Sequence, residues 1–417
     1  MENKGNLIKI LDPSLEKQHI LRNQVIDDNG PGTILPDFKT LLNFIGQQGI
    51  KVSGKYNFIT LKLLSQINAQ MTHPVEIDLK RPIQKSYPYI NGLYLLVRAS
   101  GLAVVTGSGT NQKMTIDNEV LESWETLNPT ERYFTLLETW LLKGREEIIK
   151  GSRGGGYYTN PFMKWERFFE RIADKGLKIA GNKEQERDIN YVPGLYTIAL
   201  LDLFGLISLK HAKPEKGKGW RIAEVHRTPL GDALLTLLSK YFIGKDYIES
   251  YINESEVIFG VLQPLLQPFF PEKRKNLIIP EHKIHDGLYV FKVFIGRAWR
   301  RIVIPGQMNL DVFSAVILDA FDFDHDHLYM FSCKNRFGIL EHVNHPYTEE
   351  PPFTNEVIIS KLPINPGNVM TFLFDFGDNW EFDVKLERID PPDPKIKQPV
   401  VTEAHGEPPE QYPDWDE

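Results

Sequence analysis

The feature that most constrains this chain is an internal repeat. The stretch "NGLYLLVRASGLAVV" (Asn91–Val105) lines up with "PGLYTIALLDLFGLISL" (Pro193–Leu209). Each opens a helix with Gly-Leu-Tyr and enters a strand through Gly-Leu. A glycine just past a helix end accepts the left-handed conformation that terminates it, so Gly101 and Gly205 read as helix stops. A turn and a second strand follow in both copies. Amphipathic helices precede them. "PDFKTLLNFIGQQG" puts Phe38, Leu41, Leu42 and Ile45 on one stripe, with Gly46 and Gly49 as stop signals. "NFITLKLLSQINAQM" and "PFMKWERFFERIADKG" repeat that pattern, and "NPTERYFTLLETWLLKG" carries Asn128 as cap, Pro129 at the first position and Gly144 at the end.

Helices followed by a two-stranded wing follow the plan of a winged helix. The pattern predicts an arm over residues 1–35, winged-helix-like units over 36–145 and 155–270, and a bridge punctuated by Pro264, Pro268, Pro271 and Pro280. Proline has no N–H and disrupts regular elements, so a boundary is expected near Ile284. From Gly287 the texture changes. "LYVFKVFIG" and "AWRRIVIP" alternate as strands, "NLDVFSAVILDAF" is a helix with Leu310, Phe313, Ile317 and Phe321 inward, and "HLYMFSCK" is a strand. "VMTFLFDF" and "WEFDVKLERI" form a hairpin around Gly377-Asp378-Asn379. The fold class is α+β: a mostly helical N-terminal part, an α+β domain over 284–390, and an acidic, proline-rich extended tail over 391–417.

At 417 residues, two to three domains are expected. A hydrophobic fraction of 41% and a charged fraction of 25% are ordinary for a globular chain. A net charge of −7 excludes a wholly basic nucleic-acid wrapper, so any contact with a polyanion needs a local basic patch. The single cysteine, Cys333, excludes an intramolecular disulfide and a cysteine zinc site, and a predicted strand position makes it a buried structural thiol. No secretory leader is read in the first residues. The longest apolar stretch is broken by Asp202 and Gly205 and falls short of the ~20 residues a membrane span needs. The cytoplasm, with no membrane contact, is the expectation.

The segment 284–390 resembles the plasmid pRiA4b ORF-3-like family. The resemblance rests on "YVFKVFIGRAWRRIVIP", a helix ending in "LDAFDFDHDHLYMF", and "FLFDFGDNWEFDVKLE", in the family's order, with "GEPPEQYPDW" similar to the ending of some members. The chain departs in its short "GRA" link and in Phe382, where many members have histidine. The family's activity is unassigned; its occurrence on plasmids and near mobile elements implies an association with nucleic acid. Asp375-Phe376-Gly377 is not a kinase magnesium motif, because the glycine-rich loop, strand lysine and His-Arg-Asp loop are missing in order. "TGSGTNQK" also fails the phosphate-loop spacing.

Two candidate sites follow. The first is the hairpin "SLKHAKPEKGKGWRIAEVHR", where Lys210, Lys213, Lys216, Lys218, Arg221 and Arg227 are opposed only by Glu215 and Glu224. Such a wing grips phosphate by releasing counterions; the alternative is a solvated tip whose lysines protect a sheet edge. The second comprises Arg300, His327, Asp375, Asp378 and Trp380. Alternation puts His325 and His327 on one face and Asp324 and Asp326 on the other. Imidazole and carboxylate suit a divalent metal at His327, Asp375 and Asp378; helix caps and tight turns are the competing explanation. Arg300 and Arg301 point to opposite faces, one of them pairing with Asp375 or Glu381. "RGGGYY", with Arg153, Tyr157 and Tyr158, is a linker rather than an RNA contact. No cofactor is otherwise called for. The leading expectation is a non-catalytic binding protein whose partner is nucleic acid, gripped by the second wing. A metal-assisted hydrolase and a scaffold for a protein partner are the alternatives.

Overall fold

The computed structural model describes residues 13–54, 56–107, 111–150, 160–244, 258–281 and 284–412. The chain divides into two compact units, the first of residues 1–104 and 114–280, the second of residues 105–113 and 281–417. Arg153, Tyr157 and Tyr158, and the tip of the first hairpin at 108–110, lie outside the described residues.

Up to Asp188 the chain runs α1 (Leu15–Asn23), α2 (Ile34–Ile45), β1 (Ile50–Ser53), β2 (Phe58–Ile59), α3 (Leu61–Asn68), α4 (Pro88–Ala99), β3 (Ala103–Thr106), β4 (Lys113–Ile116), α5 (Asn118–Glu125), α6 (Pro129–Glu138), α7 (Glu147–Lys150), α8 (Pro161–Arg171), β5 (Leu177–Lys178) and α9 (Lys183–Asp188). It continues through α10 (Leu195–Leu203), β6 (Ile207–His211), β7 (Ile222–Arg227), α11 (Pro229–Gly244) and α12 (Gln263–Leu266). The repeat in the letters is a repeat of element order. A helix, a short leading strand, two helices and a hairpin occur from α2 to β4 and again from α8 to β7, the first copy adding β2 after its leading strand. In the second copy the strand order is β5-β7-β6; in the first it is β2-β1-β4-β3. The short leading strand therefore neighbours the last strand in both. Gly101 and Gly205 take φ of +75° and +69° at the helix ends, the left-handed geometry that glycine adopts without strain.

The two helices that precede the hairpins pack on each other. All twelve residues of α4 are buried. A helix that is apolar all round has to be buried on every side, and α10, "LYTIALLDL", is such a helix: seven of its residues are buried. Gly92 allows the approach, since a Cβ there would lie 2.9 Å from Leu200 Cγ. One polar pair joins the two helices: the Tyr89 hydroxyl donates to Asp202 at 2.7 Å. Burial raises the Asp202 carboxyl above its ordinary range and raises the Tyr89 hydroxyl as well.

Two carboxylates on α6 organise the proline-rich stretch. Glu131 accepts from the Arg274 and Lys275 amides at 3.1 and 2.6 Å. Glu138, two helical turns on, accepts from the Gly260 and Val261 amides at 2.8 and 3.1 Å. Four main-chain donors that prolines leave without a regular partner are satisfied in this way. Pro264 is a correction: it sits in the first turn of α12, where a missing N–H costs nothing. Asn128 caps α6 as read, with Glu131 completing the capping box, but α6 passes into a π-turn over Thr139–Lys143 before Gly144.

The second unit contains β8 (Leu288–Ile295), β9 (Ala298–Pro305), α13 (Leu310–Ala320), β10 (Tyr329–Lys334), β11 (Leu340–Asn344), β12 (Val369–Phe374), β13 (Trp380–Asp390) and β14 (Val400–His405). These strands form an antiparallel sheet in the order β11-β10-β12-β13-β8-β9-β14. Helix α13 covers one face with Phe313, Ile317 and Phe321, against Phe291, Phe372 and Phe382. Phe382, the departure from the resembled pattern, is a core residue. The tail supplies the edge strand β14. Among the described residues no helix is long and apolar enough to cross a membrane.

Gly205 faces the N-terminal arm, where a Cβ would lie 2.5 Å from the Gly32 nitrogen. Gly205→Ala is expected to lower unfolding free energy by about 1–3 kcal/mol, through positive φ and the clash together. Gly181→Ala, also at positive φ but with no neighbour within 4 Å, should cost less. Urea titration of the two variants checks the order, and equal losses would refute the close-approach argument.

Candidate functional site

The basic hairpin is held down and largely neutralised. Lys210 pairs with Glu224 at 2.7 Å. Lys218 lies 2.9 Å from Glu215 and 3.8 Å from Glu186. Arg221 lies 2.8 Å from Glu215 and 3.2 Å from Glu186. Arg227 lies 3.1 Å from Asp174 and 3.5 Å from Asp232. Five carboxylates thus pair with four of the six cations, and six positive against five negative charges leave +1. Lys213 and Lys216 have no carboxylate partner among the described residues. The main chain is pinned too. Gly217 N donates to Asp78 O at 2.8 Å, and Asp78 N donates to Lys218 O at 3.2 Å. Trp220 is buried against Tyr89, with ring centroids 5.2 Å apart, and its indole N–H donates to His211 Nδ1 at 3.1 Å. Sequence reasoning found Glu215 and Glu224 and missed Glu186, Asp174, Asp232 and the Asp78 main chain. Nothing local marks Glu186, Asp174 or Asp78 as partners so distant in the chain, whereas Asp232 is five positions past Arg227 and was within reach of a local count.

The second candidate gathers some of its residues and disperses others. His327 lies in the loop before β10, so the strand alternation expected over 324–327 does not apply. Its Nε2 is 3.4 Å from Asp375 Oδ2 and 3.7 Å from Asp326 Oδ2. Asp375 has φ +54°. Its Oδ1 accepts from the Gly377 amide at 2.8 Å and the Asp378 amide at 3.4 Å. Asp378 joins through its main chain, as part of the turn. Trp380 packs edge-on to Phe323 at 5.2 Å, and its buried indole N–H has no partner among the described residues. Among the described residues there is no group of three or more His, Cys, Asp or Glu side chains that could hold a metal.

Arg300 is elsewhere and structural. It donates from Nε to Ala320 O at 2.7 Å and from Nη1 to the Trp299, His405 and Gly406 carbonyls, over the Phe321 ring. Arg301 points to the opposite face, as alternation requires, but its partners are Glu387 and Glu403 rather than Asp375 or Glu381. Glu403 is on the adjacent strand β14, and Glu387 reaches Arg301 from β13 across β8: Arg301 stands level with Lys292 and Lys385, two positions from Glu387 and four from Glu381, while Asp375 follows β12, one strand further away.

The tail completes the His327 neighbourhood. Gln411 Oε1 accepts from Asp324 N at 2.6 Å, and the Tyr412 hydroxyl donates to Asp326 Oδ2 at 2.6 Å. That hydrogen bond holds the Asp326 carboxyl below its ordinary range and pushes the Tyr412 hydroxyl up to about 12. Only the resemblance of the tail to a family ending could have pointed to these two residues.

Fold and site together define the second unit as an α+β sheet module with an Asx-type turn and a tail clasp. The family model described as plasmid pRiA4b ORF-3-like protein matches residues 293–414, from β8 to the tail. Over 114 residues the chain is 30% identical to Uncharacterized protein y4hQ of Sinorhizobium fredii. That similarity takes in 27% of this chain and 57% of the relative, so the chain spans little more than half of that protein. It is also similar to a crystal structure described as a protein of unknown function, MM3350, from Methanosarcina mazei Go1, at 25% identity, covering 28% of this chain and 70% of that one with a TM-score of 0.26.

Two outcomes are expected. Asp375→Ala should destabilise the second unit by about 1–2 kcal/mol, losing the turn acceptor and straining positive φ, whereas Asp375→Gly should cost less. Chemical denaturation decides, and an Ala variant as stable as the parent would remove the role given to Asp375. Glu186 is held below the ordinary carboxylate range by the Gly181 N–H and then by Arg221 and Lys218. A lowered folded value stabilises above the unfolded value, roughly pH 4.3 for Glu, and that contribution is lost as pH falls through the folded value. Glu186→Gln should therefore flatten the acid-side loss of stability. An unchanged acid limb would show that the pairs on Glu186 contribute nothing.

Proposed function

We propose that this chain is a non-catalytic binding protein of the cytoplasm, associated with mobile elements through its partners, in which the first unit is a protein-interaction scaffold. The observation that carries this reading is the burial of α4 and α10 against each other. In a helix-turn-helix reader the helix before the wing lies in the major groove, with its first residues on base edges. Pro88, Tyr89 and Ile90 at the start of α4, and Tyr196, Thr197 and Ile198 near the start of α10, are buried instead. Winged-helix-like element order with covered recognition helices suits holding protein surfaces better than reading a duplex. The metal-assisted hydrolase has less support, because among the described residues His327 and Asp375 meet without a group of three that could hold a metal.

Phosphate contact remains the second reading, favoured by Lys213 and Lys216. Salt separates the two. Each neutralised phosphate contributes about −0.9 to the slope of log K against log salt, so a six-cation grip gives roughly −5 and a two-lysine touch roughly −2. Titrating a short duplex and a single strand at several salt concentrations should give absent or shallow binding, abolished in Lys213→Ala/Lys216→Ala. A steep slope that flattens in Lys218→Ala would restore the phosphate grip and overturn the scaffold reading.

A further inference from the structure

The docked hairpin roofs a cavity. It measures about 360 Å³ and lies where β7, α9 and the segment before α4 meet. It is a half-open cleft, and its volume is at the lower end of the range of small-ligand sites, about 300–1,000 Å³. Its apolar wall is built by Leu79, Ile83, Ile179, Ile189 and Ile222. Lys218, Arg221 and Glu186 stand at one side, and with Glu215 they form a closed set of two cations and two carboxylates. Lys85 is the third lining cation. Exposed, it has no carboxylate partner among the described residues, and its Nζ lies 6.0 Å from the Phe58 ring.

From these observations we infer that this cavity is a binding site for a small amphipathic monoanion, an apolar body carrying one carboxylate or sulfonate. The apolar wall excludes water from the body of the ligand and supplies the affinity. The single unanswered cation fixes the charge type, because a neutral or cationic ligand leaves Lys85 unmatched. A dianion would have to open the Arg221–Glu186 pairing. This inference is independent of the scaffold reading, which concerns protein partners.

The test uses the full chain and the fluorophore 8-anilinonaphthalene-1-sulfonate, competed by decanoate, decanol and decylamine. The expected result is one saturable fluorescent site, displaced by decanoate at about fivefold lower concentration than by decylamine, a preference at the upper end of what one exposed ion pair confers. Lys85→Glu, at an exposed position, should weaken the fluorophore about fivefold by the same reasoning. Ile83→Asp, at the exposed rim, should abolish the anion preference. No saturable fluorescence, equal displacement by the amine, or unchanged binding in both variants would each overturn the assignment.

Discussion

Two helices buried along their length have only a few ways to leave water, and α4 and α10 take the simplest, which is each other. Everything else in the first unit is arranged around that contact. Because each helix precedes its hairpin by a single glycine-capped turn, burying the helices fixes where the hairpins start. The β6–β7 hairpin is then led past the segment before α4, and its tip exchanges two main-chain hydrogen bonds with Asp78. The basic residues of that hairpin meet carboxylates from α9, from α11 and from the turn after α8, as a consequence of where the helices lie. A side chain at Gly92 would hold α4 off Leu200, and the hairpin geometry downstream depends on that separation.

In the second unit the equivalent constraint is the hairpin turn at Asp375. A non-glycine residue at positive φ is held there because its carboxylate occupies the amides of Gly377 and Asp378. The same carboxylate then has one oxygen left, and that oxygen faces His327. The proximity of histidine and aspartate is thus a by-product of turn construction. The tail reinforces it from the other side, with Gln411 and Tyr412 holding Asp324 and Asp326. This is a physical reason to regard the second unit as complete only with its tail, and the family match running to residue 414 agrees.

What could be read from the sequence was what short-range chemistry dictates. Gly101 and Gly205 as helix ends, Asn128 as a cap, the inward stripe of α13 and the β12–β13 hairpin all depend on residues within a turn or two of each other. The opposite orientations of Arg300 and Arg301 followed from strand alternation alone. The partners of those arginines did not, because strand order is set by which edges the sheet leaves open, and Glu403 arrives on β14 from the tail. Gln411 meets Asp326 across 85 positions and Arg221 meets Glu186 across 35. A count of local charges around the hairpin saw two opposing carboxylates where five are present. The π-turn after α6 was equally invisible, since its letters are those of an ordinary helix.

The charge of the hairpin shows why composition alone misleads. A lysine-rich loop on an acidic chain has two fates. It stays free and attracts polyanions, or it is drawn onto the carboxylates of its own molecule, which are present at far higher effective concentration than any ligand. The docked tip, the buried Trp220 and the shared pair of Glu186 and Glu215 belong to the second fate. A phosphate reaching Arg221 would have to displace two carboxylates already aligned with it, and would receive in exchange an interaction of the same kind. Such an exchange is close to neutral before the entropy of association is counted. Lys213 and Lys216 escape that argument because they sit on the solvent side of the turn, and Lys85 escapes it because its neighbour is the Phe58 ring. Among the described residues of the hairpin and of the cavity beside it, these three cations are the ones without a carboxylate partner.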